Sequence, residues 1–171
     1  MEFTSKSALY ALFAANVYGA TNNGAGGSPL VRSERNTLPL PSSDWVIIAE
    51  RVSATGFMAR AYREISTGRV IIAYAGTTEE SSMDWYAGNV PAAAGLPSPQ
   101  VIEAARFYMD VLNSPYGQSG TISFTGHSLG GGLASLMAVY FNHEAIVFDQ
   151  APFEKSADSY AAVMAVQVAL V

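Results

Sequence analysis

Residues 121–136 read TISFTGHSLGGGLASL, and this stretch decides the fold. Its centre, GHSLG at 126–130, has the G-x-S-x-G spacing of a nucleophile elbow, a sharp turn between a strand and a helix that exposes a serine hydroxyl. The serine must adopt a backbone conformation that most residues avoid, so the positions two residues away must lack bulk where strand and helix nearly touch. Glycine meets that requirement on both sides. The spacing therefore predicts that Ser128 is held at such a turn as a nucleophile.

The flanking residues fit the two elements that an elbow joins. The run ISFT at 122–125 is of β type, and apolar residues at 133, 136, 137 and 140 follow at helical spacing. In a helix each glycine of the run 130–132 costs about 1 kcal/mol relative to alanine, so the run predicts close approach of other backbone. A glycine-rich turn between two core elements, with no catalytic role, is the alternative interpretation.

The composition is that of one globular domain. The chain has 171 residues, of which 50% are hydrophobic and 13% charged, which is enough to bury a core. A net charge of −5 with nine scattered basic residues argues against nucleic acid as a partner. With two histidines, no cysteine and no glycine-rich phosphate-binding motif, the sequence predicts neither a metal site nor a cofactor.

Two apolar runs are candidates for membrane signals. Residues 8–20 lack the net positive flank of a secretory signal and are better explained as an ordinary helix. Residues 160–171 are too few for the roughly 20 that span a bilayer, and they predict a buried helix instead. We therefore expect a soluble chain without a signal peptide or a transmembrane segment, and the sequence does not indicate its compartment.

Alternating strands and helices joined by short links indicate an α/β fold in three layers. Residues 71–73 run apolar without alternation, as in a strand that is covered on both faces. We expect a mixed sheet in which 71–74, 122–124 and 145–148 are parallel and adjacent at its centre. The other predicted elements are a helix at 5–18 that packs on the sheet, strands at 45–53, 56–65 and 69–75 that form two hairpins, a helix from 98–99 to about 113, and a closing helical segment that starts at 149–152.

Two blocks of this sequence carry a family resemblance. The block IIAYAGTTEESSMDW at 71–85, joined to TGHSLGGGLASL at 125–136, resembles the class 3 lipase family, the fungal-type branch of the α/β-hydrolases. The first block of that family reads apolar strand, Arg-Gly-Ser or Arg-Gly-Thr, then Asp-Trp. Gly76, Thr77, Asp84 and Trp85 match that pattern, and Ala75 stands where the family has arginine.

The resemblance covers most of residues 9–152 and implies a three-layer α/β-hydrolase-like sandwich with a mixed, centrally parallel sheet. It implies that Ser128 is the nucleophile and Thr77 an oxyanion-hole residue. It also implies carboxylic ester substrates, often acylglycerols or phospholipids.

The residues themselves agree on the anion site. The backbone N–H of Leu129, directly after the nucleophile, points at the developing oxyanion and lies at the positive end of the helix. Thr77 follows the carboxyl end of a neighbouring buried strand, where α/β sites gather, so its N–H can supply the second donor. A plain strand-ending turn at 76–78 is the alternative.

The catalytic base is the missing part. A serine hydroxyl needs a histidine to take its proton, and the histidine needs a carboxylate to orient it. His127 is predicted to point to the opposite face from Ser128, and His143 to lie about 20 Å away at the far end of the helix, facing its negative terminus. Asp149, at the carboxyl end of the next strand, is the best-placed possible acid.

Two functions remain open on these residues. The first is a serine ester hydrolase of lipase or phospholipase type, in one domain over residues 1–171 that lacks its C-terminal part, with the catalytic histidine outside this chain. In the class 3 lipases both the acid and the histidine come after the strand that matches 145–148. The second is a catalytically silent α/β-hydrolase-like domain that binds a lipid or protein partner.

Overall fold

The computed structural model of this chain describes residues 5–20, 38–76, 99–118, 120–152 and 160–169. The opening helix, both hairpins, the helix at 99–113 and the strand and helix of the elbow lie where the sequence predicts them. The described helices are α1 (Lys6–Asn16), α2 (Pro99–Asn113), α3 (Leu129–Phe141) and α4 (Tyr160–Ala169), with a 3₁₀ turn, Val17–Gly19, after α1. The strands are β1 (Trp45–Val52), β2 (Met58–Glu64), β3 (Val70–Tyr74), β4 (Ile122–His127) and β5 (Glu144–Phe148).

The sheet is mixed, with the order β1-β2-β3-β4-β5. The pairs β1–β2 and β2–β3 are antiparallel hairpins, whereas β3, β4 and β5 are mutually parallel. The adjacency of the three parallel strands is therefore confirmed. The predicted central place of 145–148 is not, because β5 is the outermost of the strands that the structure describes and is only half-buried.

One face of the sheet is covered by α1. Phe13 of this helix and Val17 of the 3₁₀ turn that follows it are fully buried against alternate residues of β3, Ile71 and Ala73. Removing a side chain as large as phenylalanine or isoleucine from water contributes about 1.5–3 kcal/mol. The Tyr10 hydroxyl adds a buried hydrogen bond, 2.7 Å long, with the Ser123 hydroxyl of β4. The predicted packing of the opening helix on the sheet is therefore confirmed.

The other face carries α2, α3 and α4. Ile72 and Tyr74 of β3 point to this side, with Phe124 of β4, and pack among the buried apolar residues of α2 and α3. Because successive residues of a strand face opposite sides, β3 is buried along its whole length and supplies both cores. The result is the predicted three-layer arrangement of helix, sheet and helices.

The end of α1 is fixed by one buried arginine. Arg60 of β2 donates hydrogen bonds to the carbonyl oxygens of Asn16 (2.8 Å) and Gly19 (2.7 Å), and it pairs with Glu50 of β1. Its side chain is only 8% exposed, and a charge that is buried without partners is strongly unfavourable. The Asn16 side chain in turn binds both backbone polar groups of Leu38. The 3₁₀ turn after α1 is therefore held on both sides.

The closing segment differs from the prediction in two ways. Residues 149–152 contain no helix, because Asp149 has φ = 45°, which a right-handed helix does not allow. The apolar helix α4 is not fully buried, because Val166 lies in the core whereas Met164 and Val168 are 37% and 70% exposed. Among the residues that the structure describes, no helix has the length and apolar character needed to cross a bilayer.

Candidate active site

Ser128 occupies a strained turn between β4 and α3. Its backbone has φ = 56° and ψ = −125°, a region that costs a residue other than glycine about 1–3 kcal/mol. Such a conformation persists only where the surroundings enforce it. Here the Ser128 N–H donates to the carbonyl oxygen of Phe148 (3.0 Å), and the Ser128 carbonyl accepts from the N–H groups of Gly132 (3.1 Å) and Ala151 (2.9 Å).

The glycines around Ser128 are required by close backbone contact. A Cβ on Gly126 would lie 2.3 Å from the carbonyl oxygen of Gly130, and one on Gly130 would lie 2.1 Å from the carbonyl oxygen of Tyr74. A Cβ on Gly132 would lie 2.9 Å from the carbonyl oxygen of Ala151. The predicted close approach of other backbone to this glycine run is thus confirmed, and it comes from β3 and the residues after β5.

Leu129 is the first residue of α3, so its N–H lies at the positive end of a 13-residue helix. The Ser128 hydroxyl makes no capping hydrogen bond to that helix. The hydroxyl of a serine that precedes a helix ordinarily accepts a hydrogen bond from an N–H group of the first turn. At this position the hydroxyl is not used for capping, which is compatible with a nucleophile next to an anion site.

The end of β3 reaches the elbow at Gly76. A Cβ on Gly76 would lie 2.7 Å from the carbonyl oxygen of His127 and 3.3 Å from the Ser128 Cβ. Thr77, the predicted oxyanion residue, lies outside the described residues, as do Asp84 and Trp85. The residue that precedes Thr77 is thus in contact with the elbow.

Tyr18 is a residue of this site that the sequence did not single out. Its hydroxyl accepts a hydrogen bond from the Gly76 N–H at 2.9 Å, across 58 positions of the chain. Burial raises the pKa of Tyr18 above its ordinary value, and the hydrogen bond from Gly76 offsets this in part. No periodicity or motif marks a contact between such distant residues.

Of the two histidines, His127 lies in the elbow motif directly before Ser128, and His143 lies far from it. His127 is the exposed last residue of β4, and His143 follows α3 at the end opposite to Ser128, about 20 Å along the helix. Instead of facing the helix terminus as predicted, the His143 ring packs on Phe124, and its Nε2 is 2.9 Å from the Tyr108 hydroxyl. Burial lowers the pKa of His143, which disfavours the cation that the helix terminus would attract.

Asp149 lies beside Ser128. His127 pairs with Phe148 across β4 and β5, so the residues that follow, Ser128 and Asp149, leave adjacent strands at the same edge of the sheet. Asp149 is exposed, and the residues after it are tied to α3 by Ser135, whose hydroxyl donates to Gln150 Oε1 at 2.6 Å. The sequence analysis did not single out Ser135.

The described residues contain no group of three or more histidine and carboxylate side chains that could hold a metal ion. The site that they form consists of a serine hydroxyl, backbone N–H groups and one nearby carboxylate. Such a set can attack and stabilise a carbonyl group, but it does not include a partner that removes the serine proton.

Comparison with known proteins agrees with this geometry. A family model described as phospholipase-like, for the Tle-like phospholipase domain, matches residues 9–168. The chain belongs to this phospholipase-like family. No match was found among curated proteins.

Solved structures similar to this Tle-like domain are fungal lipases. The native propeptide complex of Rhizomucor miehei lipase has 18% identity and a TM-score of 0.51, with 85% of this chain and 52% of that chain covered. A deletion mutant of the same complex has 17% identity and a TM-score of 0.53, with coverage of 91% and 56%. Lip2 lipase from Yarrowia lipolytica has 15% identity and a TM-score of 0.49, with coverage of 87% and 60%.

The likeness to the Rhizomucor miehei structures shows that the Tle-like domain has the α/β-hydrolase-like fold that these lipases share, and it is consistent with the class 3 lipase resemblance. The domain spans just over half the length of those lipase chains.

Proposed function

We propose that this chain is the nucleophile-bearing part of a serine ester hydrolase of lipase or phospholipase type. The observation that carries the proposal is the backbone of Ser128, whose φ of 56° is enforced between a parallel strand and the start of a helix. Strain of this kind at a serine whose hydroxyl does not cap the helix is typical of catalytic turns. Membership of a phospholipase-like family favours phospholipids or other acylglycerols as the esters.

In the proposed reaction the Ser128 hydroxyl attacks the ester carbonyl carbon, the C–O bond to the alcohol breaks, and the alcohol leaves with a proton. Water then hydrolyses the acyl-serine and releases the fatty acid. The N–H groups of Leu129 and Thr77 hold the negative oxygen of both tetrahedral intermediates. The contact of Gly76 with the Ser128 Cβ position supports the role of Thr77, because it brings the preceding residue to the elbow.

The base that accepts the Ser128 proton is proposed to lie outside these 171 residues. His143 is held by Tyr108 at the other end of α3, and His127 is exposed at the end of β4. The chain spans just over half of the Rhizomucor miehei lipase chains. Asp149 is proposed as the carboxylate that orients the incoming histidine, because it leaves the strand next to the elbow. A serine hydrolase without its base loses turnover by a factor on the order of 10⁶.

The test compares the 171-residue chain with a longer protein that continues into the downstream coding sequence, called the extended protein. Both are treated with a fluorophosphonate probe, which forms a bond to an activated serine and releases fluoride, and with short-chain nitrophenyl esters. We expect only the extended protein to be labelled at Ser128 and to turn over. Ser128→Ala removes both signals, and Ser66→Ala, at an exposed turn, preserves them.

Two results would contradict the proposal. Labelling of the Ser128→Ala variant at the parental level would show that another residue is the nucleophile. Strong labelling of the 171-residue chain that disappears in His143→Ala would make His143 the base.

The second candidate is a catalytically silent domain that binds a lipid or protein partner through the same cleft. It is favoured by the position of His143, whose ring is held by Tyr108 at the end of α3 opposite to Ser128. The extended protein again discriminates: no labelling and no turnover, together with sedimentation on phospholipid vesicles, would support the silent domain.

A further inference from the structure

Tyr18 lies in a turn that the fold holds in one place. It is the middle residue of the 3₁₀ turn Val17–Gly19, and Arg60 binds the carbonyl oxygens of Asn16 and Gly19 on either side of it. Because Arg60 is itself buried and paired with Glu50, the turn has little freedom to move. The direction of the Tyr18 side chain is thus set by groups that lie away from Ser128.

The Tyr18 hydroxyl is the acceptor for the Gly76 N–H at a position where β2 no longer provides one. Directly after β3 the Ala75 N–H donates to the carbonyl oxygen of Met58 (3.0 Å), and Met58 is where the hairpin partner β2 begins. One residue further on, the buried Gly76 N–H donates to the Tyr18 hydroxyl at 2.9 Å. Without that hydroxyl a buried N–H would lose its acceptor among the described residues, which is unfavourable.

Gly76 needs such an anchor because of its own chemistry. A side chain cannot replace its hydrogen, since a Cβ would lie 2.7 Å from the His127 carbonyl oxygen and 2.9 Å from the Tyr18 hydroxyl. Glycine, however, has the softest backbone dihedrals of any residue. Catalytic donors must be held to within about 0.5 Å of their working position. A glycine directly before a catalytic amide therefore requires an external constraint.

We propose that Tyr18 is a positioning residue for the reaction at Ser128. Its hydroxyl fixes the Gly76 amide and, through it, the strand end that continues into Thr77. The inference rests on the proposed function, because it assigns Tyr18 a role in building the oxyanion site of that same reaction.

The test uses Tyr18→Phe in the extended protein, with Tyr10→Phe as the matched control. Both variants remove one hydrogen-bonded hydroxyl from the N-terminal helical segment, and the Tyr10 hydroxyl binds Ser123, at the end of β4 remote from Ser128. We expect Tyr18→Phe to lower kcat about 10-fold to 100-fold with KM within about 2-fold, since complete loss of an oxyanion donor costs about 10²–10³ and a displaced donor costs less. Tyr10→Phe should leave both constants within about 2-fold of the parent, as a hydroxyl without a role in the reaction.

A binding measurement separates positioning from a purely structural effect. An alkyl boronic acid forms a tetrahedral adduct on a serine and places an oxygen where the oxyanion forms, whereas an ether analogue of the ester resembles only the ground state. Tyr18→Phe should weaken the boronic acid by the same factor as kcat and leave the affinity for the ether unchanged. A structural defect would instead weaken both compounds or neither.

The outcomes distinguish this inference from the proposed function. If the extended parent is active, Ser128→Ala is inactive and Tyr18→Phe behaves like Tyr10→Phe in kcat and boronic acid affinity, the role of Tyr18 is overturned and the hydrolase stands. If the extended parent hydrolyses no ester, the hydrolase and the role of Tyr18 are both overturned.

Discussion

The two ends of α3 carry the side chains of Ser128 and His143, both of them candidate catalytic groups, in different surroundings. Ser128 precedes the helix at φ = 56° and spends no hydroxyl on a cap, whereas Asn142 ends the helix at φ = 54° in the left-handed well that asparagine tolerates. His143 follows, with its ring packed on Phe124 and its Nε2 on the Tyr108 hydroxyl. The serine end has a strained backbone and a hydroxyl that does not cap the helix. The histidine end has a tolerated backbone conformation and a ring nitrogen within hydrogen-bond distance of the Tyr108 hydroxyl. The difference suggests where reactivity lies in a chain that has candidate groups at both ends.

The largest expected effect concerns turnover. In the extended protein Ser128→Ala should reduce ester hydrolysis by a factor on the order of 10⁶, because the proposed nucleophile is lost. His143→Ala should keep kcat/KM within about 3-fold, because a residue away from the reacting atoms contributes no transition-state binding. Initial rates with a nitrophenyl ester measure both. A comparable loss in the two variants would remove the distinction between the two ends.

The next effect is on stability and concerns the backbone contact that creates the elbow. Gly130→Ala should destabilise the 171-residue chain by about 3 kcal/mol or more, because its Cβ would lie 2.1 Å from the Tyr74 carbonyl oxygen, which belongs to a central strand. In Gly131→Ala the nearest atom is the Gln150 Cβ at 3.0 Å, and the gain in helix propensity of about 1 kcal/mol offsets the crowding. Urea unfolding at equilibrium gives both free energies. Equal losses would show that Gly130 is not special.

A smaller change tests whether strain is confined to the serine end. Ser128→Gly should raise the free energy of unfolding by about 1 kcal/mol. Glycine relieves the backbone strain, but the greater conformational entropy of glycine in the unfolded chain cancels part of that stabilisation. Asn142→Gly should change it by less than about 0.5 kcal/mol, since asparagine already tolerates the left-handed conformation. Thermal and urea unfolding of the two variants, side by side, provide the measurement. A larger gain at Asn142 than at Ser128 would place the strain at the wrong end.

The smallest effect is the pH dependence at the histidine end. Burial lowers the pKa of His143 in the folded chain. At a pH below the pKa that His143 has in the unfolded chain, the unfolded state therefore binds more protons than the folded state, and the free energy of unfolding decreases as the pH is lowered. Between about pH 8 and pH 5 the melting temperature of the parent should therefore decrease, and His143→Gln should reduce that slope. An unchanged slope in His143→Gln would contradict the packing of that ring.

The elbow could be predicted from the sequence because its serine and the two glycines that it requires lie within five consecutive residues. Gly126 and Gly130 lie two positions from Ser128, and the clashes that demand them involve the turn itself and the neighbouring strand. The hairpins and the parallel strands likewise follow from short patterns. Thr77 stays a prediction, because it lies outside the described residues.

The features that sequence reasoning missed depend on residues far apart in the chain. Tyr18 and Gly76 are 58 positions apart, and nothing in either neighbourhood marks their hydrogen bond. The exposure of Val168 was not predicted, since an apolar helix is buried only as far as other elements cover it. Asp149 breaks the expected helix through a positive φ that its residue type permits but does not require.

The hydrogen bond between Tyr10 and Ser123 has a consequence for the order of events during synthesis. The two residues are 113 positions apart, so α1 is made long before the strand that it covers. At roughly 5–20 residues per second, the ribosome needs about 6–23 s to add the intervening chain. Throughout that interval the apolar side of α1 has no β4 on which to dock. Part of the apolar side of α1 thus stays uncovered in the nascent chain until β4 is made, and such a segment is a target for chaperones that bind exposed apolar helices.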